Sequence, residues 1–320
     1  MPEQTPATAL APDLPSLEHP DGPSVTVIAD SVSAHTGDRI ASFEIRTHRF
    51  VLAEWNTHCL ASRSSASSRA IPVAKQLDRY RDDPAWPISW PVEQPGMSGG
   101  DELRGDDLEL ARDLFARVHD LTAAAVDEYL ADTERRGRPR LHKSVLNRLL
   151  EPLQWHTMLF TLALPARNFF AQRAERGAQP ELRACAEMMR DLVEISEPVA
   201  LPDGQWHLPY LRPGEDLGDA DPRLVSSARC ARTSFLGQSV GRPVEADVEL
   251  CVSKLIPSKH WSPFEHVATP APLNLHWGSV SDPGRPGCSI EVRSAEVGKF
   301  PGWIQYRHIL EAAHGWDSYR

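Results

Sequence analysis

Ser62, Arg63, Ser64, Ser65, Ser67, Ser68 and Arg69 crowd hydroxyls and two guanidiniums into one short run. Such a run, with free backbone N–H groups, makes a receptor for a phosphate dianion, whose oxygens take charge-assisted hydrogen bonds. Just before it, Glu54 and His58 stand four apart, which on a helix sets them on one face. The plain alternatives are a solvated Ser/Arg loop and a surface Glu/His contact. The residue types alone leave both open. Cys59, beside the imidazole, is a candidate nucleophile, but neighbours on a helix point about 100° apart, which weighs against it.

The elements around this run have readable patterns. FEIRT, from Phe43, fits a short strand, and RFVLAEWNTHC reads as one amphipathic helix with Phe50, Leu52, Ala53 and Trp55 as its apolar residues. ASRSSASSR then reads as an exposed polar loop. Upstream, the β-branched run Val25 to Ala29 predicts a buried strand, and His35-Thr36-Gly37-Asp38 a turn into the next. Residues 1–23, rich in Pro, Ala and acidic side chains, read as a mobile tail. Residues 82–105 read as a surface excursion, a lid or a loop whose Trp86 and Trp90 dock on the core.

Asp106 to Arg136 is the clearest helix: Leu108, Ala111, Phe115, Val118, Leu121, Ala125 and Tyr129 recur at helical spacing, a stripe for core or subunit interface. A second helix is expected from His142 to near Pro152, a strand over Thr157 to Leu164, and a helix opened by Pro165 that carries Asn168 and Arg173. Another helix should run from Gln179 to about Glu197, and residues 203–223 should cross the surface as a loop. After EADVELCVSKLI comes His260-Trp261-Ser262-Pro263-Phe264-Glu265-His266, while Trp303 and Tyr306 look like packing residues.

Composition bounds the function. At 320 residues, 41% hydrophobic and 24% charged, the chain is an ordinary globular one, expected to form a single α+β domain over residues 24–320. A formal charge of -10 argues against general nucleic-acid binding but permits an anionic ligand where arginines concentrate. No apolar run is long enough to span a membrane and no signal-peptide pattern opens the chain, so no membrane partner and a cytoplasmic location are the expectations. The five cysteines, Cys59, Cys185, Cys230, Cys251 and Cys288, are scattered and odd in number, unlike a disulfide framework or zinc ribbon. His260 and His266, with His58, leave a metal hydrolase as an outside alternative.

The stretch from Phe43 to Arg69 resembles the signature region of the flavin-dependent thymidylate synthases (ThyX). Their hallmark is Arg-His-Arg, seven residues, then Ser, with Arg two further on. Here the frame reads Thr57-His58-Cys59, then Ser67 and Arg69, with Glu54-Trp55 where the family has Gln-Trp. Both arginines beside the histidine are absent. A second block, Arg148 before Pro152-Leu153-Gln154-Trp155-His156-Thr157, then Asn168-Phe169 with Arg173 and Ala178-Gln179-Pro180-Glu181, is similar to the family's nucleotide site. A third, Ala231-Arg232-Thr233-Ser234-Phe235, a helix and the 260–266 unit, resembles a flavin-associated unit that in the family precedes the Arg-His-Arg motif, so the motif order here is permuted.

The resemblance implies a small mixed or antiparallel sheet flanked by helices, a homotetramer, FAD as cofactor, and methylenetetrahydrofolate and NADPH as cosubstrates. It places Arg173 and Ser67 in catalysis, and Glu54, Ser67, Ser68, Arg69, Arg148 and Arg173 on the nucleotide. His58, Asn168, His260, Ser262 and Glu265 would face the flavin, and no metal is involved. The implied activity is C5 methylation of UMP or dUMP. Loss of the two motif arginines points to a specialised relative, of the kind used in antibiotic biosynthesis, or to a nucleotide or flavin binder without turnover.

Overall fold

The computed structural model describes residues 14–233, 242–271, 277–281, 289–293 and 299–314. Residues 1–13, Ser234, Phe235, Cys288 and Gly298 lie outside them. The sheet starts with β1 (Ser16–Glu18), β2 (Ser24–Ser33) and β3 (Arg39–His48), consecutive antiparallel strands. Gly37, at φ +74°, supplies the left-handed backbone in the turn between β2 and β3. β1 lies inside the stretch expected to be a mobile tail. Pairing with β2 accounts for the difference, helped by the Ser16 hydroxyl donating to the Val25 carbonyl at 3.2 Å.

After a 3-10 turn, Arg49–Val51, come α1 (Leu52–Trp55), β4 (Ser62–Ser65), α2 (Val73–Asp82), α3 (Gly105–Arg135) and α4 (Lys143–Leu146). β5 (Trp155–Leu164) joins β3 on one side and β4 on the other, both antiparallel. α5 (Arg167–Arg173), α6 (Pro180–Ile195) and β6 (Val199–Leu201) follow, β6 running parallel to β2. The sheet is thus mixed, in the order β1-β2-β3-β5-β4 with β6 also on β2. The second half adds α7 (Pro222–Ala231), α8 (Val244–Leu250), β7 (Ala268–Pro270), β8 (Trp277–Ser281), β9 (Ser289–Arg293), β10 (Trp303–Gln305) and α9 (Tyr306–His314). This is the α+β architecture expected, a small sheet with helices on both faces. Among the described residues no helix is long and apolar enough to cross a membrane.

Alternation along the strands decides what covers each face. Ala41, Phe43 and Ile45 of β3 and Met158, Phe160 and Leu162 of β5 pack on Phe169 of α5 and on Leu182, Cys185, Met189 and Leu192 of α6. Ser42, Glu44, Arg46 and His48 face the other way, and the second half of the chain closes over much of that polar face. There Ile40 meets Phe300 and Trp303, and Tyr306 joins Phe264, Val267 and Ile309 in a separate core. Trp303 and Tyr306 are core residues, as read from the sequence.

Three local expectations are corrected. The run 142–152 forms only α4 and two 3-10 turns, Asn147–Leu149 and Glu151–Leu153. Pro165 precedes α5 instead of opening it, and Ala166 at φ 46° makes the turn. In α3 the covered row is His119, Ala123, Val126 and Thr133, while Val118, Leu121 and Ala125 of the expected stripe face solvent. The core it meets, with Leu77 and Tyr80 of α2 and Leu146 and Leu150 beyond, selects the face. Trp86 docks on that core and Trp90 against Phe115, as the loop reading of residues 82–105 required.

Candidate active site at the edge of the sheet

α1 stops well short of the helix read from the sequence, and the stop shapes the site. The Thr57 hydroxyl donates to the Glu54 carbonyl at 2.7 Å, and Arg63 Nη1, from β4, donates to the carbonyls of Trp55 at 3.0 Å and His58 at 2.8 Å. Those acceptors are the ones a continuing helix would use. Glu54 and His58 therefore do not share a helical face. Nor is 61–69 simply an exposed loop: Ser62 and Ser64 are buried in β4, because the strand pairs with β5.

Freed from the helix, His58 lies edge-on to Phe169 of α5, with ring centroids 4.9 Å apart. Arg173, at the end of that helix, donates through Nε to His58 Nε2 at 2.7 Å and through Nη2 to the Thr57 hydroxyl at 3.0 Å. Accepting at Nε2 requires a neutral ring with its proton on Nδ1. Burial, then the charges of Arg173 and Arg63, push the His58 pKa down to about 4. Burial also lowers the pKa of Arg63. Among the described residues neither guanidinium is hydrogen-bonded or ion-paired to a carboxylate. Two positive charges flank a neutral imidazole in an acidic chain, which suits an anion.

The remaining predicted nucleotide residues form a second group beside β4. Asn147 Nδ2 donates to the carbonyls of Ser68 at 2.8 Å and Ile71 at 3.0 Å, and Arg49 Nη1 to that of Ala66 at 3.2 Å. This fixes the turn bearing exposed Ser67, half-buried Ser68 and exposed Arg69 against the segment bearing Arg148. Arg148 is exposed, 3.9 Å from Glu151, which also accepts from Arg49 at 3.0 Å. Arg69, Arg148 and Arg173 are not joined to one another by any hydrogen bond or ion pair. Among the described residues, Glu54 Oε2, Asn147 Oδ1 and His156 Nε2 are buried polar atoms without a hydrogen-bond partner. Sequence reading gave no role to Arg49, Asn147, Thr57 or His156, although Thr57 and His156 stand in the quoted motifs, and it counted Arg63 as one guanidinium of the phosphate receptor.

The residues assigned to flavin do not converge within one chain. Asn168 is exposed on α5 and accepts from Gln172 at 3.1 Å. His260 is exposed and Ser262 half-buried on the far face of the sheet, where Glu265 is buried and consumed by ion pairs with Lys299, at 2.7 Å, and Arg307. His266 spends both ring nitrogens, on Thr161 at 2.8 Å and Ser64 at 2.9 Å. Its contacts belong to one buried chain of groups. Ser31 meets His207 Nδ1 at 2.9 Å, His207 Nε2 meets Ser42 at 2.8 Å, and Ser42 meets Thr161 at 2.6 Å. The 260–266 unit thereby fastens the second half of the chain to the sheet. With Glu265 paired to two cations and Asn168 bonded within its own helix, this set as placed in one chain does not fit an isoalloxazine. His58, His260 and His266 do not meet either, and among the described residues no three His, Cys, Asp or Glu side chains gather as metal ligands.

No protein-family model matches the chain, and no curated protein matches it. Two of the solved structures similar to it are these. One is a UMP/dUMP methylase PolB from Streptomyces cacaoi bound with 5-Br UMP, at 15% identity and TM-score 0.39 over 55% of this chain and 90% of that one. The other is thymidylate synthase X (ThyX) from Helicobacter pylori with FAD and dUMP, at 18% identity and TM-score 0.30 over 48% of this chain and 67% of that one.

Proposed function

We propose that this chain binds a pyrimidine nucleoside monophosphate, UMP or dUMP, and methylates its base at C5, as the flavin-dependent thymidylate synthases it resembles do. The observation that carries the reading is the bond between Arg173 and His58, which lie 115 residues apart in sequence. Both were singled out from motif frames that know nothing of each other's position.

In this reading Arg173 uses two of its N–H groups to fix itself on His58 and Thr57, and its remaining donors face the ligand. Arg63 adds a second charge, and the Ser67–Arg69 turn with Arg148 binds the far end of the nucleotide. Each charge-assisted hydrogen bond contributes roughly 1.5–3 kcal/mol, so two or three suffice to hold a small anion. Arg173 also stabilises negative charge that gathers on the uracil oxygens during the reaction. Ser67 presents a hydroxyl at the turn. FAD, methylenetetrahydrofolate and NADPH belong to the proposal through the resemblance alone.

A second reading, a nucleotide binder without turnover, is favoured by one observation, the scattering of the flavin-assigned residues. One experiment separates the two. Purified protein is supplied with UMP or dUMP, FAD, methylenetetrahydrofolate and NADPH, and products are resolved by mass spectrometry alongside calorimetric binding of the nucleotide. Methylated nucleotide that disappears in Arg173→Ala supports the enzyme. Binding without product supports the second reading, and absence of binding overturns both.

A further inference from the structure

The carbonyls around the Ser67–Arg69 turn are taken almost one by one from within the chain. Arg49 Nη1 donates to that of Ala66 at 3.2 Å, Asn147 Nδ2 to those of Ser68 at 2.8 Å and Ile71 at 3.0 Å, and Lys143 Nζ to that of Ala70 at 3.4 Å. The Ser67 carbonyl accepts from the Ala70 N–H at 2.9 Å. Asn147 is 1% exposed and the Arg49 side chain 15%, so both reach the turn from its covered side. The Asn147 amide can face only one way, because the flipped form would set its oxygen against two carbonyl oxygens.

This clamp decides where the turn's N–H groups go. A trans peptide points its N–H away from its C=O, and the one cis bond among the described residues is Leu164–Pro165. With the Ala66 and Ser68 carbonyls drawn to the covered side, the N–H groups of Ser67 and Arg69 are turned to the other. Among the described residues neither N–H makes a hydrogen bond, and neither do the Ser67 and Ser68 hydroxyls or the Arg69 guanidinium. Backbone N–H groups turned the same way beside hydroxyls and a cation form an anion cradle.

We infer that Asn147 is a positioning residue for the nucleotide's phosphate: by holding the Ser68 carbonyl it aims the Arg69 N–H at a phosphate oxygen, and it fixes Arg148, the next residue, relative to that turn. The inference rests on the proposed reading, in which this turn and Arg148 take the end of the nucleotide away from Arg173. Asn147 itself touches no ligand. An amide suits the task, since a carboxylate would repel the two carbonyls and an apolar side chain would leave them without a donor. An asparagine that served folding alone would act on both ends of the nucleotide alike, or on neither.

Calorimetry with UMP and with uridine on the full chain tests it. In Asn147→Leu, close to asparagine in size but without the donor, UMP affinity is expected to fall about tenfold or more, while uridine affinity stays within about twofold. Arg173→Ala, at the base end, is expected to weaken both ligands. In the wild type, which depends on no variant folding, the Arg69 backbone amide is expected to shift in NMR spectra when UMP is added and to stay in place with uridine. Equal loss of both ligands in Asn147→Leu, loss of neither, or an Arg69 amide unmoved in a wild type that binds UMP would each overturn the inference and leave the proposed function standing. A wild type that binds no UMP would overturn both.

Discussion

At the scale of single residues, the candidate site depends on an imidazole held neutral near pH 7. His58 accepts from Arg173, and its pKa lies near 4, so protonation would set three positive groups side by side. Ring titration followed by NMR is therefore expected to show His58 neutral from pH 8 down to pH 5; a midpoint near 6.5 would mean that the Arg173 contact is not made. Arg173→Ala is expected to weaken UMP binding by roughly 1.5–3 kcal/mol, about ten- to a hundredfold, in calorimetry. Arg173→Lys should recover little of this, since an ammonium is a point charge and cannot hold His58 and Thr57 with one planar fork. Cys59 is exposed, and its Sγ–H lies 3.8 Å from the Thr57 carbonyl. Full turnover in Cys59→Ala would exclude it as a nucleophile.

At the scale of elements, the joint between the sheet and the second half of the chain is polar where joints are usually apolar. Ser31, His207, Ser42, Thr161, His266 and Ser64 form one chain of hydrogen bonds across the strands. Because each hydroxyl and each neutral ring carries a single proton, the bonds favour running in one direction, which ties the tautomers of the two histidines together. Thr161→Val leaves two neighbours unsatisfied and is expected to cost about 1–3 kcal/mol in urea unfolding. Ser42→Ala should cost a similar amount, and the two together less than their sum, because they interrupt the same chain. Burial holds His207 and His266 near pKa 3. Between about pH 6.5 and 3 the unfolded chain binds protons that the folded one refuses. Stability from these rings is thus complete above pH 6.5 and declines as the pH falls towards 3. Replacing both histidines by glutamine should flatten that part of the pH–stability curve; an unchanged slope would show that other groups set it.

At the scale of the whole molecule, the chain carries a net -10, and among the described residues no carboxylate bonds to Arg63 or Arg173, whereas several half-buried arginines are held in ion pairs. Asp247, almost fully buried, gathers Arg229 of α7 at 3.2 Å, Arg232, and Arg242 at 3.8 Å, and so pins α8 to α7. Removing it would strand the buried guanidinium of Arg232, while Arg229 would keep Glu215. Asp247→Ala is therefore expected to cost about 3–5 kcal/mol in denaturant unfolding without a direct effect on nucleotide affinity in the protein that remains folded. A loss below about 1 kcal/mol would show that water replaces the carboxylate there.

What the chain states locally proved readable. The short strand from Phe43, the apolar run of β5, the proline at the start of α6, the turn at Gly37 and the length of α3 each depend on a few neighbouring residues, and side-chain period and backbone preference settle them. The frames around His58 and Arg173 were legible too, as residue types at fixed spacing. Tertiary structure alone decided the rest. Ser62–Ser65 became a strand because β5, about a hundred residues later, offered an edge, and α1 ended early because Arg63 took its carbonyls. Glu265 and His266 were drawn into the joint between the two halves. The covered face of α3 was likewise selected by α2 and α4, since a helix with apolar residues on two sides does not say which one its own chain will bury.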